Sequence, residues 1–169
     1  PIKIYSRPQV DFTFTDSVCL GTATQFTGII TSADPVLYWN YSVDEGGIPV
    51  LSGTNASYTF TIPGAHQVLF FASTIGNTGC SGSIQKMVFV VDKPRAALKQ
   101  FAGCQSATVQ LFDSSYTTDG LVISNWWWDL GNGQFSSLQN PGTLYNTAGI
   151  KNIKLVVWNN KGCQSDTLC

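Results

Sequence analysis

An internal repeat constrains this 169-residue chain more than any other feature of its sequence. The stretch "DSVCLGTATQF" around Cys19 recurs as "FAGCQSATVQL" around Cys104, 85 residues later. The stretch "IGNTGCSGS" around Cys80 recurs as "WNNKGCQSD" around Cys163, 83 residues later. Because the same pattern occurs twice, the sequence predicts two consecutive domains that share one architecture.

The local composition of both repeats is typical of β-strands. Short runs of β-branched and aromatic residues, such as "VDFTFT", "SYTFTI" and "KMVFVV", are separated by Gly, Asn, Ser and Asp. No stretch has the apolar period of a helix. About seven short strands per repeat, with turns about every 8–12 residues, are typical of an immunoglobulin-like sandwich. We therefore predict an all-β fold made of two tandem Ig-like β-sandwich domains of about seven strands each.

The repeat also predicts the domain boundaries, with residues 8–93 as the first domain and 94–169 as the second. The opening "KIYSRPQVDF" parallels the later "VVDKPRAALK", and Pro8 falls where Pro94 falls. Residues 1–7 are therefore interpreted as the last strand of a preceding repeat. The second repeat stops at "QSDTLC", before a counterpart of "KMVFVV", so we expect its final strand to be truncated.

The positions of the cysteines favour pairing within each repeat. Each repeat has one early and one late cysteine, so the simplest disulfides are Cys19–Cys80 and Cys104–Cys163. A disulfide that closes a loop of ~60 residues is worth about 4 kcal/mol in the chain-entropy model. The alternative is two buried free thiols in each domain. Disulfides imply an oxidising, extracytoplasmic compartment. Cys169 has no counterpart in the first repeat, and the sequence does not indicate a role for it.

Three adjacent tryptophans in "SNWWWDLGNG" must divide between two faces of a strand, because successive side chains point to opposite sides. Trp126, Trp128 and Leu130 share one face, and Trp127 lies on the other. A tryptophan on the third strand is the usual core residue of such sandwiches. We therefore expect Trp128 and its repeat counterpart Trp39 in the core, with Trp127 pointing outward.

The strand after Gly149 predicts a partner for Trp127. If Ile153, Leu155 and Val157 face the core, then Trp158 faces outward. The two strands are neighbours in one sheet of an Ig-like fold, which places Trp127 and Trp158 on the same outer face. Tyr38, Leu69 and Phe71 form a similar set in the first repeat. The predicted contact surface consists of Trp127, Trp158, Tyr38 and Phe71.

The second repeat carries a recognisable set of motifs. Trp128–Gly133 reads Trp-Asp-Leu-Gly-Asn-Gly, and Asn140-Pro141, Tyr145 and Gly149 follow downstream. This set resembles the PKD (polycystic kidney disease) domain, whose signature is W-D-F-G-D-G. The Gly-Cys pair that ends at Cys163 resembles the PKD-like repeats of large surface proteins in gliding and gut Bacteroidota. The first repeat matches more weakly. In the second repeat, Asn132 replaces the second Asp of the signature, which argues against a calcium site in that turn.

The resemblance implies an extracellular, non-catalytic module that serves as a spacer, adhesive unit or protein-contact surface. Its partners would be neighbouring repeats of the same chain, another protein or a surface glycan, and its location the outer surface of a bacterium. In that group of proteins, Asp-Ser-Val at 16–18 and Asp-Thr-Leu at 166–168 resemble the O-glycosylation motif, which makes Ser17 and Thr167 candidate sites. The alternatives are a carbohydrate-binding module that uses the outer-face aromatics, and an accessory domain of a secreted hydrolase.

Composition and motifs argue against other classes of function. A formal net charge of −1 and a pI of about 5.6 do not favour nucleic-acid binding. The sequence has neither a basic run for an anionic membrane nor an apolar stretch of ~20 residues. His66 is the single histidine, and no nucleophile elbow, phosphate-binding loop or zinc spacing accompanies it. We therefore expect no enzyme activity, no cofactor or metal, and no membrane insertion.

Overall fold

The predicted all-β class is confirmed in the computed structural model. The structure describes residues 2–15, 18–45, 50–74, 80–99 and 102–169. Every regular element within these ranges is a β-strand. The chain divides into two compact units, the first unit Pro1–Val90 and the second unit Val91–Cys169.

The first unit is built from two antiparallel sheets. Its strands are β1 (Gln9–Thr13), β2 (Val18–Cys19), β3 (Ala23–Thr31), β4 (Tyr38–Val43), β5 (Val50–Ser52), β6 (Asn55–Thr59), β7 (Gly64–Ser73) and β8 (Ser81–Val91). One sheet has the order β1-β3-β6, and the other has the order β2-β8-β7-β4-β5. Both sheets contribute side chains to one core cluster, which is the arrangement of an Ig-like sandwich.

Aromatic rings fill the centre of this core. Phe12 and Phe26 from one sheet and Tyr41 and Phe70 from the other are all essentially inaccessible to solvent. Tyr41 stacks on Phe70 with ring centroids 4.4 Å apart and meets Phe12 edge to face at 5.7 Å. The Tyr41 hydroxyl donates a hydrogen bond to the carbonyl of Thr54 at 2.9 Å. Burial raises the pKa of Tyr41 to about 12, so the buried hydroxyl stays protonated and satisfied.

Tyr41 occupies the core position that was expected for Trp39. Tyr41 pairs with Phe70 across β4 and β7, and Trp128 pairs with Leu155 at the equivalent place in the second unit. Trp39 is half-buried and packs against the rim of the core. The structural counterpart of Trp128 is therefore Tyr41, two residues after Trp39. Both residues face the same side of β4, so matching tryptophan to tryptophan selects the wrong one.

The second unit contains five strands in two small sheets within the described residues. They are β9 (Thr108–Gln110), β10 (Ile123–Asp129), β11 (Phe135–Ser136), β12 (Gly142–Leu144) and β13 (Lys154–Asn159). One sheet has the order β11-β10-β13, and β12 pairs with β9. Residues from both sheets surround Trp128, which is fully buried and belongs to one core cluster with Leu155 and Val109.

Two side-chain hydrogen bonds fix the polar ends of this core. The Trp128 indole Nε1–H donates to the carbonyl of Leu138 at 2.9 Å. The Tyr145 hydroxyl donates to the carbonyl of Leu130 at 2.8 Å, and burial raises the pKa of Tyr145. Both aromatic rings can therefore be buried without leaving a polar atom unpaired.

The last strand differs between the units. β8 pairs with β7 along the whole of β7. Its counterpart in the second unit consists of two isolated bridges, Trp158–Gln164 and Leu155–Leu168. Residues 1–7 are interpreted above as the last strand of a preceding repeat, and the described part of this segment, residues 2–7, forms no strand. The assignment of domains and of the flanking segments remains a prediction.

The two predicted disulfides are not formed. Cys19 and Cys163 are disulfide-bonded. Cys80, Cys104 and Cys169 have free thiols. Since each predicted pair contains one free thiol, the prediction of pairing within the repeats is wrong. The presence of disulfide-bonded cysteines remains consistent with an oxidising compartment.

Strand direction explains why Cys19 and Cys80 do not pair. Cys19 lies before β3 begins. The Cys80 thiol donates to the carbonyl of Tyr5 at 3.3 Å, next to β1, and Gln9 at the start of β1 pairs with Thr31 at the end of β3. The nine residues of β3 span about 30 Å, whereas the Cα atoms of a disulfide lie within about 7 Å.

The second unit repeats this arrangement. Cys104 borders Lys151 and Asn152, which precede β13. Cys163 follows the end of β13, where its carbonyl accepts a hydrogen bond from the Asn159 N–H at 3.0 Å. The six residues of β13 span about 20 Å between the two cysteines, which again exceeds the reach of a disulfide.

Glu45 is a buried carboxylate that ties the loop after β4 to the segment before β7. Its Oε1 accepts hydrogen bonds from the Thr61 N–H at 2.6 Å and the Thr61 hydroxyl at 2.7 Å. Burial by itself would raise the pKa of Glu45. The hydrogen bonds from Thr61 and from the Ile62 N–H outweigh burial and hold the pKa below its ordinary value.

The thiol assignment predicts the outcome of alkylation without reduction. When the unreduced protein is unfolded in guanidinium and treated with iodoacetamide, peptide mass spectrometry should find three labels, on Cys80, Cys104 and Cys169. Cys19 and Cys163 should be labelled only after reduction. A single label on Cys169 would restore the original pairing and contradict the structure.

Glu45→Gln should destabilise the protein in a pH-dependent manner. The native pKa lies below the unfolded value, so the stabilisation is complete above the unfolded pKa and disappears as pH falls through the native pKa. We expect a loss of about 1–2 kcal/mol in the free energy of unfolding at pH 7, from weakened hydrogen bonds to a charged acceptor. Urea denaturation at pH 7 and pH 3 should show the difference shrinking. An equal difference at both pH values would contradict this role of the charge.

Candidate functional site: an outer aromatic face

The structure divides the three adjacent tryptophans of β10 between the core and the surface. Trp128 is fully buried, and Trp126 is half-buried against the same core cluster. The Trp126 indole Nε1–H donates to Asp113 Oδ2 at 2.8 Å, so this ring is fixed by packing and by a hydrogen bond. Trp127 points to the opposite face and keeps 39% of its surface exposed.

Trp127 is not isolated on this face. β11 runs beside β10 and pairs Phe135 with Asp129. Asp129 and Trp127 are two residues apart on β10 and therefore share a face. The Phe135 ring stacks on the Trp127 indole, with centroids 5.6 Å apart and an interplanar angle of 26°. Phe135 is itself 62% exposed, so the stacked pair forms an apolar projection into solvent.

The other neighbour of β10 completes the patch. In the register of β10 with β13, Trp127 lies opposite Val156, and Asn125 lies opposite Trp158. Trp158 is therefore diagonal to Trp127 on the outer face, and it is half-buried. Val156 lies between them and is only 5% exposed, although it points away from the core.

We call the set Phe135, Trp127, Val156 and Trp158 the aromatic face. An ion pair lies next to it, in which Lys154 Nζ is 3.7 Å from Asp129 Oδ2. Both partners are outward-facing residues on paired positions of β13 and β10. An apolar centre with a charged border is the usual anatomy of a small protein-contact surface.

The first unit has a smaller outer patch at Tyr38 and Phe71. Their rings meet edge to face with centroids 6.0 Å apart. The Tyr38 hydroxyl accepts a hydrogen bond from Asn40 Nδ2 at 2.9 Å. With Tyr41 as the counterpart of Trp128, Asn40 stands where Trp127 stands in the second unit. Both units therefore carry aromatic residues on an outer face, as predicted, but these residues do not occupy equivalent positions.

Phe135 is the functional candidate that the sequence analysis missed. It follows the glycine-rich turn in "GNGQFSS", where two strand residues are too short a run to show alternation. The signal that could have found it is the turn itself. A tight turn after β10 returns the chain beside the same strand, so an aromatic residue just beyond it can face Trp127.

The turn from Asp129 to Gln134 uses its polar groups for its own geometry. Asp129 Oδ1 accepts from the Gly131 N–H at 3.1 Å, and Asn132 Oδ1 accepts from the Gln134 N–H at 3.1 Å. Gly131 has φ +68°, and a Cβ there would lie 2.5 Å from the carbonyl oxygen of Asn152. The glycine of the signature is thus required by a close backbone approach.

Of the two candidate glycosylation sites, Ser17 and Thr167, the structure describes one. Ser17 lies outside the described residues. Thr167 is exposed, and it follows Asp166, whose carboxylate meets Lys93 Nζ at 2.9 Å. The hydrogen bond from Lys93 lowers the pKa of Asp166. Thr167 is therefore accessible on the surface, and its modification remains a prediction.

His66 has a structural environment. Its ring is buried, and Nε2 lies 2.8 Å from the carbonyl oxygen of Ile62, to which it donates. Nδ1 lies 3.1 Å from Asp44 Oδ1, and the ring packs on Phe60 at 5.0 Å. In the part of the chain that the structure describes, no group of three or more His, Cys, Asp or Glu side chains could hold a metal ion.

Comparison with protein families matches the second unit to one family. The model of the PKD domain family matches residues 92–168, which confirms the resemblance expected from the sequence. No protein of curated function matches the chain. A PKD domain together with disulfide-bonded cysteines indicates an extracellular domain. Among the described residues, no helix is long and apolar enough to cross a membrane.

Several solved structures align with most of the chain at low identity. Fibronectin(III)-like modules of CbhA from Clostridium thermocellum share 13% identity over 94% of this chain and 90% of theirs, with a TM-score of 0.43. A structure of carbohydrate-binding modules from the β-sandwich superfamily shares 13% identity over 92% of this chain and 55% of its own, with a TM-score of 0.49. SGBP-B of Bacteroides ovatus, in complex with a mixed-linkage heptasaccharide, shares 15% identity over 98% of this chain and 47% of its own, with a TM-score of 0.41. The chain thus spans about half the length of the last two.

The stack of Trp127 on Phe135 should be measurable as a coupling energy. In a double-mutant cycle of Trp127→Ala and Phe135→Ala, we expect about 0.5–1 kcal/mol of coupling in the free energy of unfolding by urea. Phe112 is also exposed in the second unit and makes no ring contact with Trp127. A cycle of Trp127→Ala with Phe112→Ala should therefore give no coupling. Equal coupling in both cycles would rule out a specific stack.

Proposed function

From the match of residues 92–168 to the PKD domain family, we propose that the chain is a non-catalytic segment of a larger cell-surface or secreted repeat protein. Its role is that of a spacer and protein-contact module. The internal repeat supports this proposal, because arrays of similar domains set the reach and orientation of surface proteins. The location that fits best is the outer surface of a bacterium, with neighbouring repeats or another protein as partners.

The aromatic face is the observation that carries the contact role. Trp127 and Phe135 are large apolar side chains that the core does not use, and both keep substantial exposure. Tryptophan and other aromatic residues are enriched at the centres of protein interfaces. The neighbouring Asp129–Lys154 ion pair supplies a polar border. Contiguous exposed apolar patches with a polar rim mark interaction sites on protein surfaces.

The geometry of the stack favours a protein partner over a sugar. A carbohydrate-binding platform offers the flat face of an indole to a pyranose ring. In the aromatic face, the Trp127 and Phe135 rings lie nearly parallel, at 26°, so each ring uses one face in contact with the other. The projecting pair therefore fits a complementary apolar recess of another protein surface. A carbohydrate-binding module remains the competing function, and it predicts a different result for the same variant.

Trp127→Ala should weaken protein contacts at little cost in stability. We expect lower self-association in sedimentation velocity at high protein concentration, and a change of no more than about 1 kcal/mol in the free energy of unfolding, since Trp127 is outside the core. Phe112→Ala is the matched control, because it removes an exposed aromatic residue elsewhere in the second unit.

The competing function is tested in the same experiment by affinity electrophoresis in gels that contain mixed-linkage glucan or xyloglucan. A contact module should migrate equally with and without Trp127. Glycan-dependent retardation that Trp127→Ala abolishes, with self-association unchanged, would replace the contact role by carbohydrate binding. A loss of several kcal/mol on folding would instead place Trp127 in the core.

A further inference from the structure

The four cysteines that the repeat aligns occupy two kinds of position in the fold. Cys19 and Cys104 lie in the turns that lead into β3 and β9. In each turn the carbonyl of the cysteine accepts a hydrogen bond from the N–H three residues later. The donor is Thr22 at 3.1 Å in the first unit and Ala107 at 3.2 Å in the second. We call Cys19 and Cys104 the turn cysteines.

A second hydrogen bond shows that the two turns are equivalent. In the first unit, the Gly21 N–H donates to the carbonyl of Phe60 at 3.0 Å. In the second unit, the Ser106 N–H donates to the carbonyl of Tyr145 at 2.9 Å. Phe60 and Tyr145 are both buried, and they are 85 residues apart, the same interval that separates the turn cysteines. The turn cysteines therefore occupy the same place in the two units.

Cys80 and Cys163 also occupy equivalent places. The carbonyl of Cys80 accepts from the N–H of Thr74, just after β7, at 3.0 Å, and β8 begins at the next residue. The carbonyl of Cys163 accepts from the N–H of Asn159, the last residue of β13, at 3.0 Å, and the next residue bridges back to β13. Each cysteine thus lies where the chain turns back along the preceding strand. We call Cys80 and Cys163 the hairpin cysteines.

Both kinds of position take part in disulfides in this protein. The turn cysteine Cys19 and the hairpin cysteine Cys163 are disulfide-bonded. Their counterparts, the turn cysteine Cys104 and the hairpin cysteine Cys80, have free thiols. The lengths of β3 and β13 keep the turn and the hairpin of one unit beyond the reach of a disulfide. Cys80 and Cys104 are therefore two disulfide positions that a single copy of this chain leaves as thiols.

Both of these thiols can be reached from outside. Cys104 is exposed and borders a groove of about 850 Å³, whose lining includes Tyr145 and Lys151. Cys80 is half-buried, and its thiol donates to the carbonyl of Tyr5 at 3.3 Å. A thiol is a weak donor, so this hydrogen bond does not prevent its reaction. The groove leaves room beside Cys104 for the hairpin of another molecule.

We propose that Cys104 of one copy of this chain forms a disulfide with Cys80 of a second copy. The bond joins one turn cysteine to one hairpin cysteine, and the bonded set Cys19 and Cys163 also consists of one of each kind. Since each copy offers one free thiol of each kind, the link is heterologous and generates open chains of copies. It does not involve the aromatic face and is independent of the contact role proposed above.

The bond forms in two exchange steps with a small-molecule disulfide as the oxidant. The thiolate of the exposed Cys104 attacks one sulfur of the oxidant, which gives a mixed disulfide and releases one small thiolate. The Cys80 thiolate of the second copy then attacks Cys104 Sγ and releases the other small thiolate. The two protein thiols lose two protons and two electrons, and the oxidant is reduced to two thiols.

A mixing experiment in a buffer of reduced and oxidised glutathione tests this link in a chain whose Cys169 is serine. Cys80→Ser then leaves only the Cys104 thiol, and Cys104→Ser leaves only the Cys80 thiol. Each variant alone should stay at the 18.3 kDa of one copy on non-reducing gels, and an equal mixture should give a disulfide-linked heterodimer. We expect the heterodimer to exceed either homodimer by at least about tenfold, whereas random pairing of equally reactive thiols gives about twofold.

A displaced thiol provides the matched control. Ser52→Cys in a chain without the Cys80, Cys104 and Cys169 thiols places one thiol on an exposed residue of β5. Its mixture with the variant that keeps Cys104 should not exceed the random ratio. Trp127→Ala in both partners should leave the yield of heterodimer unchanged. No heterodimer, a heterodimer at the random ratio, or equal cross-linking by the displaced thiol would overturn the proposal.

The unaltered chain gives a second measurement that does not depend on how the variants fold. In the same buffer it should form a ladder of disulfide-linked copies, and peptide mass spectrometry of the ladder should find Cys80 linked to Cys104. Links through Cys19 or Cys163 would contradict the proposal. A Cys104–Cys169 disulfide within single copies, in place of the ladder, would also contradict it.

Discussion

The alternation of side chains along β10 decides what the second unit can offer to a partner. Three consecutive indoles cannot share one core, so the strand that buries Trp128 must expose Trp127. The core holds Trp128 by complete burial and by the hydrogen bond to Leu138, which leaves no freedom to slip the register. A slip by one residue would exchange every inward and outward side chain of the strand. The aromatic face is therefore a consequence of how the core is packed.

Much of this arrangement could be predicted from the sequence, because the repeat and the pattern of the strands both indicate the fold class and the direction of the side chains. The all-β class, the burial of Trp128 and the outward direction of Trp127 follow from alternation and need no knowledge of contacts. The position of Tyr41 could not be predicted in the same way. Trp39 and Tyr41 face the same side of β4, and either ring could fill the centre. Packing against Phe70 decides between them, and the spacing of residues along the strand does not determine which ring packs there.

The cysteines illustrate a different limit. The repeat aligns Cys19 with Cys104 and Cys80 with Cys163, but spacing along the chain does not say at which end of a strand each cysteine lies. Cys19 and Cys80 belong to the same repeat but are separated by the length of β3. Phe135 was missed for a similar reason, since its partner Trp127 comes from a neighbouring strand and its own strand is two residues long. Both cases depend on the path of the chain through the sheets.

Hydrogen exchange at the indole N–H groups of the three adjacent tryptophans tests the division between core and surface most directly. The Trp126 and Trp128 Nε1–H groups donate to Asp113 and Leu138, and the structure gives the Trp127 Nε1–H no acceptor within the described residues. We expect slow exchange at Trp128, intermediate exchange at half-buried Trp126, and fast exchange at Trp127 in dilute protein. Slow exchange at Trp127 together with fast exchange at Trp128 would mean that the strand faces the other way, and the aromatic face would not exist.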